Sequence, residues 1–277
     1  MPDKTLFPAL NDWQATRDTL HLYSHAVSVV PRAHAEFHPQ WWHISLKVQP
    51  DGLVTDKIAL PDGGQFWFKI DLRQHQVLLF TNQGITKEFS MTEGLTGTEF
   101  GDQILDAVAD LGLTAEYARE KFENDEPRQY DPAAVERFLT ALVNADRIFK
   151  EHRATLSGDV GPVQLWPHGF DLAFEWFGTR METYEHGGQV EESPSQLNLG
   201  FYPGGTPEAQ YFYSNPWPFE ADELLDQPLP EGASWHTDGW QGTILPYEEL
   251  VDDPRAEERL REYARTVFEI SSPTLMA

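Results

Sequence analysis

Cysteine is absent from all 277 residues. Disulfides, thiolate zinc sites, iron–sulfur clusters and cysteine nucleophiles are thereby excluded, and any metal site must use His, Asp and Glu. No apolar run approaches the roughly 18–20 residues that a membrane-crossing helix needs, so no membrane partner is expected. Basic residues are scarce as well. Twenty Lys and Arg stand against 45 Asp and Glu, a formal net charge of -25. Such a surface repels phosphate backbones and no basic stripe interrupts it, so a nucleic-acid partner is not expected. The opening Met1-Pro2-Asp3-Lys4 lacks the charged-then-apolar pattern of a secretion signal, and a cytoplasmic location is expected.

Several catalytic signatures are missing too. There is no Gly-x-Gly-x-x-Gly, no Walker lysine loop, no Gly-x-Ser-x-Gly elbow and no EF-hand loop. Dinucleotide enzymes, P-loop NTPases, hydrolases of the elbow type and calcium sensors lose support accordingly.

What is present is a packed, aromatic-rich globule: 40% of residues are hydrophobic and 13% aromatic, too many for a disordered chain. Trp13, Thr16, Leu20, Tyr23, Val27 and Val30 recur at helical spacing, predicting a helix from Asp12 as N-cap to a stop at Pro31. Alternation predicts strands over Trp41 to Val48 and Phe66 to Leu72, then Val77 to Thr81 and Ile85 to Phe89. Phe100 to Leu111 reads as a helix closed by Gly112, and Asp131-Pro132 opens a second long one. Further strands are expected at Val163 to Phe177, Gln196 to Phe201, Gln210 to Ser214 and Gly242 to Leu245, with a last helix over Pro254 to Ile270. The fold class is α+β, with mostly antiparallel sheets covered by three or four helices. The polar stretch Glu123 to Gln129 separates an N-terminal half, 1–122, from a C-terminal half, 130–277, within one compact body. Helix, strands and helix follow in each half, which suggests two similar α-β-β-α units.

Chemistry concentrates at Trp166-Pro167-His168-Gly169-Phe170-Asp171-Leu172-Ala173. There, and at Thr19-Leu20-His21-Leu22, Trp41-Trp42-His43, Asn198 to Gly204, Tyr211-Phe212-Tyr213, Pro216-Trp217-Pro218 and Leu245-Pro246-Tyr247, the chain resembles an uncharacterised bacterial family with a Trp-Pro-His-x-Phe-Asp-Leu-Ala segment. The resemblance spans most of the chain and implies no particular activity, cofactor or catalytic residue.

The residue types are therefore read directly. A carboxylate beside an imidazole can orient it and raise its basicity, which makes His168 and Asp171 the candidate catalytic pair. Arg153 is a candidate anion anchor. Aromatic faces beside amides suit a small polar or aromatic ligand, and His43, Trp166, Asn198, Tyr202, Tyr211, Tyr213 and Trp217 are the candidate ligand-binding residues. His21 and His25 have the i,i+4 spacing of a metal-binding pair, but no His-Glu-x-x-His pattern surrounds them. A solvated or cleft-lining strip with Arg17, Ser24, Ser28 and Arg32 is expected, and no metal ligand is assigned. Three functions follow: a small-molecule-binding protein or enzyme around His168 and Asp171, a non-catalytic interaction module with an acidic surface, and a His/carboxylate metal-assisted hydrolase. Cofactor, substrate and oligomeric state are left open.

Overall fold

The structure is a computed structural model that describes residues 5–187 and 189–277. In chain order the helices are α1 (Gln14–His34), α2 (Gly97–Asp110), α3 (Pro132–Arg153), the short α4 (Ala221–Leu224) and α5 (Ala256–Ser271). The strands begin with β1 (Lys47–Gln49), β2 (Gly52–Val54), β3 (Ile58–Ala59), β4 (Gln65–Asp71), β5 (Gln76–Thr81) and β6 (Gly84–Ser90). They continue with β7 (Asp159–Val160), β8 (Gln164–Trp166), β9 (Asp171–His186), β10 (Gln189–Tyr202), β11 (Tyr211–Trp217), β12 (Ser234–His236) and β13 (Gly242–Pro246). The fold is α+β, and every named strand pair described below is antiparallel. Among the described residues no helix is long and apolar enough to cross a membrane.

The chain divides into two compact units. The first takes Leu10–Val143 and a returning segment, Gln164–Asp171; the second takes 5–9, Asn144–Val163 and Leu172–Ala277. The first unit holds a sheet of order β1-β2-β4-β5-β6, with β3 beside β4. The expected alternation on β4 holds: Phe66, Phe68 and Ile70 are buried while Trp67 and Lys69 are not. Its α-helical core is aromatic. Trp13 stacks on Phe138 at 4.6 Å, Phe138 on Phe170 at 5.6 Å, and Tyr23 on Phe100 at 3.9 Å. Truncating any of these buried rings to Ala costs about 3–5 kcal/mol by transfer and cavity terms. Thr96 and Glu99 form a reciprocal capping box that starts α2.

The second unit runs β12-β13-β11-β10-β9-β7. One face is packed: Phe201 stacks on Phe212 at 5.0 Å, and Tyr247 and Phe7 join them at 5.5 Å and 5.4 Å. On α5, Glu257 and Arg261 form an i,i+4 ion pair, and Arg147 of α3 also donates to Glu257.

Three local expectations fail. Asp12 does not cap α1. It sits at φ 52, outside the helix, and Trp13 occupies the N-cap position, where its side chain does not cap the helix. Pro31 does not stop α1 either. Its missing N–H forfeits one ladder bond, but Val29, Val30 and Pro31 are buried, and the Ala35 N–H closes the next turn on the Pro31 carbonyl. Trp41 to Val48 is not a single strand. Trp41 adopts φ 60, Trp42–Ile44 forms a 3-10 turn, and the Ser45 hydroxyl donates back to the Trp42 carbonyl. The extended part begins only at Ser45: Leu46 bridges Leu165 and β1 follows, so the predicted alternation survives at buried Leu46 and Val48 but not over Trp41 to Ile44.

Candidate functional site

Arg17, His21 and His25 are spaced by four residues and form one stripe on α1. A turn in the same unit meets that stripe. Between β8 and β9 the chain reverses over Pro167, His168, Gly169 and Phe170, and the Phe170 N–H donates to the Trp166 carbonyl at 2.8 Å. Phe170 closes the turn at φ 57, an uncommon conformation for a bulky residue. Its buried ring holds it there, stacked on Phe138 and 5.7 Å from His21. The expected strand over Val163 to Phe177 is therefore broken at this turn.

The turn presents two carbonyls to α1. Gly169 accepts from Arg17 Nη2 at 3.1 Å, and Pro167 bonds His21 Nε2 at 2.9 Å. Arg17 Nη1 lies 3.2 Å from His21 Nδ1. A guanidinium only donates, so Nδ1 must carry the lone pair and Nε2 the proton, which it gives to Pro167. His21 is thus a neutral imidazole with both nitrogens committed. Burial is the main cause that lowers its pKa to about 4, and the Arg17 charge adds to it.

His25 is different. Its ring packs on His21 at 4.7 Å and is only partly covered. Desolvation first, then His21, Lys121, His168 and Arg17, push its pKa down to about 3. Every group in that set other than desolvation is a cation or can become one. Of the strip expected to be solvated or cleft-lining, Arg17, Ser24 and Ser28 are buried, the two imidazoles are partly covered and Arg32 is exposed. Their burial depends on a turn 146 residues away from His21, which no local pattern reveals.

His168 stands exposed on the same turn, its ring 5.7 Å from that of the buried Trp166. Asp171 is half-buried and turns back over Gly169; a Cβ at Gly169 would lie 2.5 Å from Asp171 Oδ1. The carboxylate thus occupies the space that only glycine leaves open. His43 is buried, accepts from the His38 N–H at 3.2 Å through Nδ1, and stacks on Trp41 at 5.5 Å. Desolvation lowers its pKa.

The remaining candidates belong to the second unit, on the sheet face opposite Phe201 and Phe212. Tyr202 pairs with Tyr211, Gly200 with Tyr213, Asn198 with Asn215, and Gln196 with Trp217. Tyr202, Tyr211, Tyr213 and Trp240 form a cluster with ring separations of 5.1 to 6.3 Å. The Tyr213 ring lies across Gly200, where a Cβ would meet it at 2.4 Å. Trp217 stands at the other end of the strand against Tyr184. Asn198 Oδ1 is buried and has no hydrogen-bond partner among the described residues. Arg153 donates to the carbonyls of Val160 and Gly161, so it serves the loop before β8 rather than a free anion.

Among the described residues no group of three or more His, Asp and Glu is arranged to hold a metal ion. A space of about 660 Å³ borders α5, but its lining, including Glu257, Glu258, Arg261 and Arg265, comes from that helix and the residues just before it. A single helix cannot enclose a ligand. The histidine stripe and its turn are thus the chemically richest arrangement. No curated protein and no solved structure matches the chain. Residues 7–275 match the model of a family of unknown function (DUF5996), and the chain belongs to that family.

Proposed function

We propose that the chain binds a small polar molecule on the first unit, where His25 and His168 adjoin the Arg17–His21 lock. One observation carries this reading. His25 is a partly covered imidazole whose pKa burial pushes down to about 3, packed on a neighbour whose two nitrogens are both used. Titratable groups perturbed in this way collect where chemistry or binding requires them. The Arg17–His21 contacts fix the turn that carries His168 and Asp171. In this reading His168 is the solvent-side acid or base, and Asp171 holds the turn in shape.

Ring-carbon NMR of the histidines tests the proposal. Sugars, nucleosides, amino acids, carboxylates and inorganic phosphate are titrated in turn. At least one class is expected to shift the His25 and His168 signals saturably, and to raise the melting temperature in wild type but not in His168→Ala. If no class moves either signal, the reading is overturned.

A second reading, docking of a basic partner, has its own support in the second unit. Past the Gln196–Phe177 pair, β9 and β10 continue as a two-stranded ribbon. Met181 and Val190 on it are 56% and 74% exposed, among Glu182, Glu185, Glu191 and Glu192. A Lys/Leu-rich peptide would bind this ribbon with strong salt dependence, mapped by amide shifts at 180–192. Salt-independent binding, or none, removes that reading.

A further inference from the structure

A second concentration of chemistry lies on the sheet of the second unit, on the face opposite Phe201 and Phe212. Gly200 of β10 pairs with Tyr213 of β11, and the Tyr213 ring lies across that glycine. Tyr211 and Trp240 are within 28° of parallel to each other. Both stand steeply to Tyr213, at 74° and 72°, with ring separations of 6.2 and 6.1 Å. The three rings therefore make a corner. His236, 4.5 Å from Trp240, holds the indole in place, and Gly242 leaves it room: a Cβ there would lie 2.8 Å from Trp240 Cζ3. Two residues from Gly200, about 7 Å along β10 and on the same face, stands Asn198. Asn215 of β11 and Glu175 of β9 are its partners across the ladder. The three rings and the two asparagines are all half-buried, so each presents some surface to solvent.

We propose that this corner, together with Asn198 and Asn215, binds an uncharged sugar ring. This site shares no residue with the histidine stripe. A pyranose is apolar on its C–H faces and polar at its rim. Its C–H face packs on the aromatic rings, and its hydroxyls reach amides that both donate and accept. Asn198 is the most telling residue. Its Oδ1 is buried and has no hydrogen-bond partner among the described residues, which costs stability. An apolar side chain would avoid that cost, so packing does not account for an amide here. A turn about χ2, a soft torsion, brings the oxygen to a sugar hydroxyl and supplies the missing donor. An anion is disfavoured. Residues 173–177, 196–202 and 211–217 contain no Lys or Arg, and Glu175 adds a carboxylate to the amide row. A quaternary ammonium is disfavoured too, because it needs rings spaced around it. Here the rings already touch at the separations of aromatic pairs, which leaves no cage between them.

The probes are the methyl glycosides of glucose, galactose and mannose in both anomeric forms, with choline and adenosine as comparisons. Each is titrated into the full chain, and NMR reads the Trp240 indole N–H and the side-chain amides of Asn198 and Asn215. At least one glycoside is expected to move the Trp240 and Asn198 signals together and saturably. For a ligand of this size the dissociation constant should be on the order of millimolar. It should be the same in low and high salt, because the ligand carries no charge. Trp240→Ala and Asn198→Leu should each weaken binding by about tenfold or more. Asn198→Leu should not lower the melting temperature, which separates its loss of binding from a loss of fold. The signal map is read on wild type, so it holds even if a variant fails to fold. The inference is overturned if no glycoside moves these signals at tens of millimolar, or if only choline or adenosine does. Glycoside binding that survives both substitutions overturns it as well. If glycosides shift His25 and His168 but not Trp240, this inference falls and the first-unit reading stands. If they shift Trp240 and Asn198 but not the histidines, this inference stands and the first-unit reading is decided by the other ligand classes.

Discussion

Histidines of the two units reach the same protonation state by different routes. His25 and His21 in the first unit are displaced by burial together with cationic neighbours. His152 on α3 of the second unit is displaced to about 4 by burial alone. It borders a small apolar cavity with Leu156, Trp176, Leu199 and Val267, and its ring contacts Phe174 and Phe268 at 6.3 Å and 6.1 Å. The lesson concerns what sets the shift. In the first environment cationic neighbours add to burial, whereas around His152 burial acts by itself, so His152 gains a proton only by opening its surroundings to water.

The largest test treats all three imidazoles together. In the unfolded chain each binds a proton below about pH 6.5; in the folded chain His21 and His152 wait until about 4 and His25 until about 3. The unfolded state therefore holds more protons between these limits, and stability falls as pH drops from 6.5 toward 4. Urea midpoints at pH 7, 5.5 and 4.5 should decline by an amount worth several kcal/mol. A flat profile would mean that none of the three is shielded.

Arg17→Met separates the two environments. It leaves the Gly169 carbonyl and His21 Nδ1 without their donor and should cost about 2–4 kcal/mol at pH 7. The NMR titration of His152 should not change, while His21 and His25 should titrate at higher pH. Substituting leucine sharpens the contrast. At pH 7 His21→Leu should lose about 1–3 kcal/mol with its two bonds, but His152→Leu should stay within about 1 kcal/mol of wild type. At pH 4.5 His152→Leu should be more stable than wild type, since a base that resists its proton has been removed. Equal behaviour of the two variants would erase the distinction. The smallest effect belongs to the surface of the second unit. Glu257, held to about 2 chiefly by hydrogen bonds from Arg147 and Arg261, contributes above pH 4.5, and its contribution is lost as pH falls through about 2. Because the group is partly exposed, Glu257→Gln should cost no more than about 1 kcal/mol at pH 7, less in high salt.

Much of this architecture was legible in the sequence. The α+β class, the alternation of β4, the Asp131-Pro132 start of α3 and the Glu257–Arg261 pair all follow local rules. So does the stripe of Arg17, His21 and His25, which spacing alone places on one helical face. What spacing does not supply is its environment. The stripe is dry because Pro167 and Gly169 bring their carbonyls to it, and that encounter depends on tertiary packing. Trp41 to Val48 failed for a related reason. Its alternation was genuine, but a left-handed Trp41 and the Ser45 hydroxyl favoured a turn over a ladder. Lys121, needed for the charge around His25, lies in a polar stretch with nothing local to distinguish it.

The composition of the first unit also sets a clock. Its last eight residues, Gln164–Asp171, are separated from Val143 by Asn144–Val163, which belongs to the other unit. A nascent chain leaves the ribosome at about 5–20 residues per second. Pro167 follows the end of α1 at His34 by 133 residues, so for roughly 7–27 seconds α1 has been made while the carbonyls that will receive Arg17 and His21 have not. During that interval the guanidinium and the imidazoles are met by water, and His21 and His25 titrate like ordinary histidines. The arrival of Pro167 and Gly169 converts them, so the neutral histidine stripe is among the later properties this protein acquires as it is born.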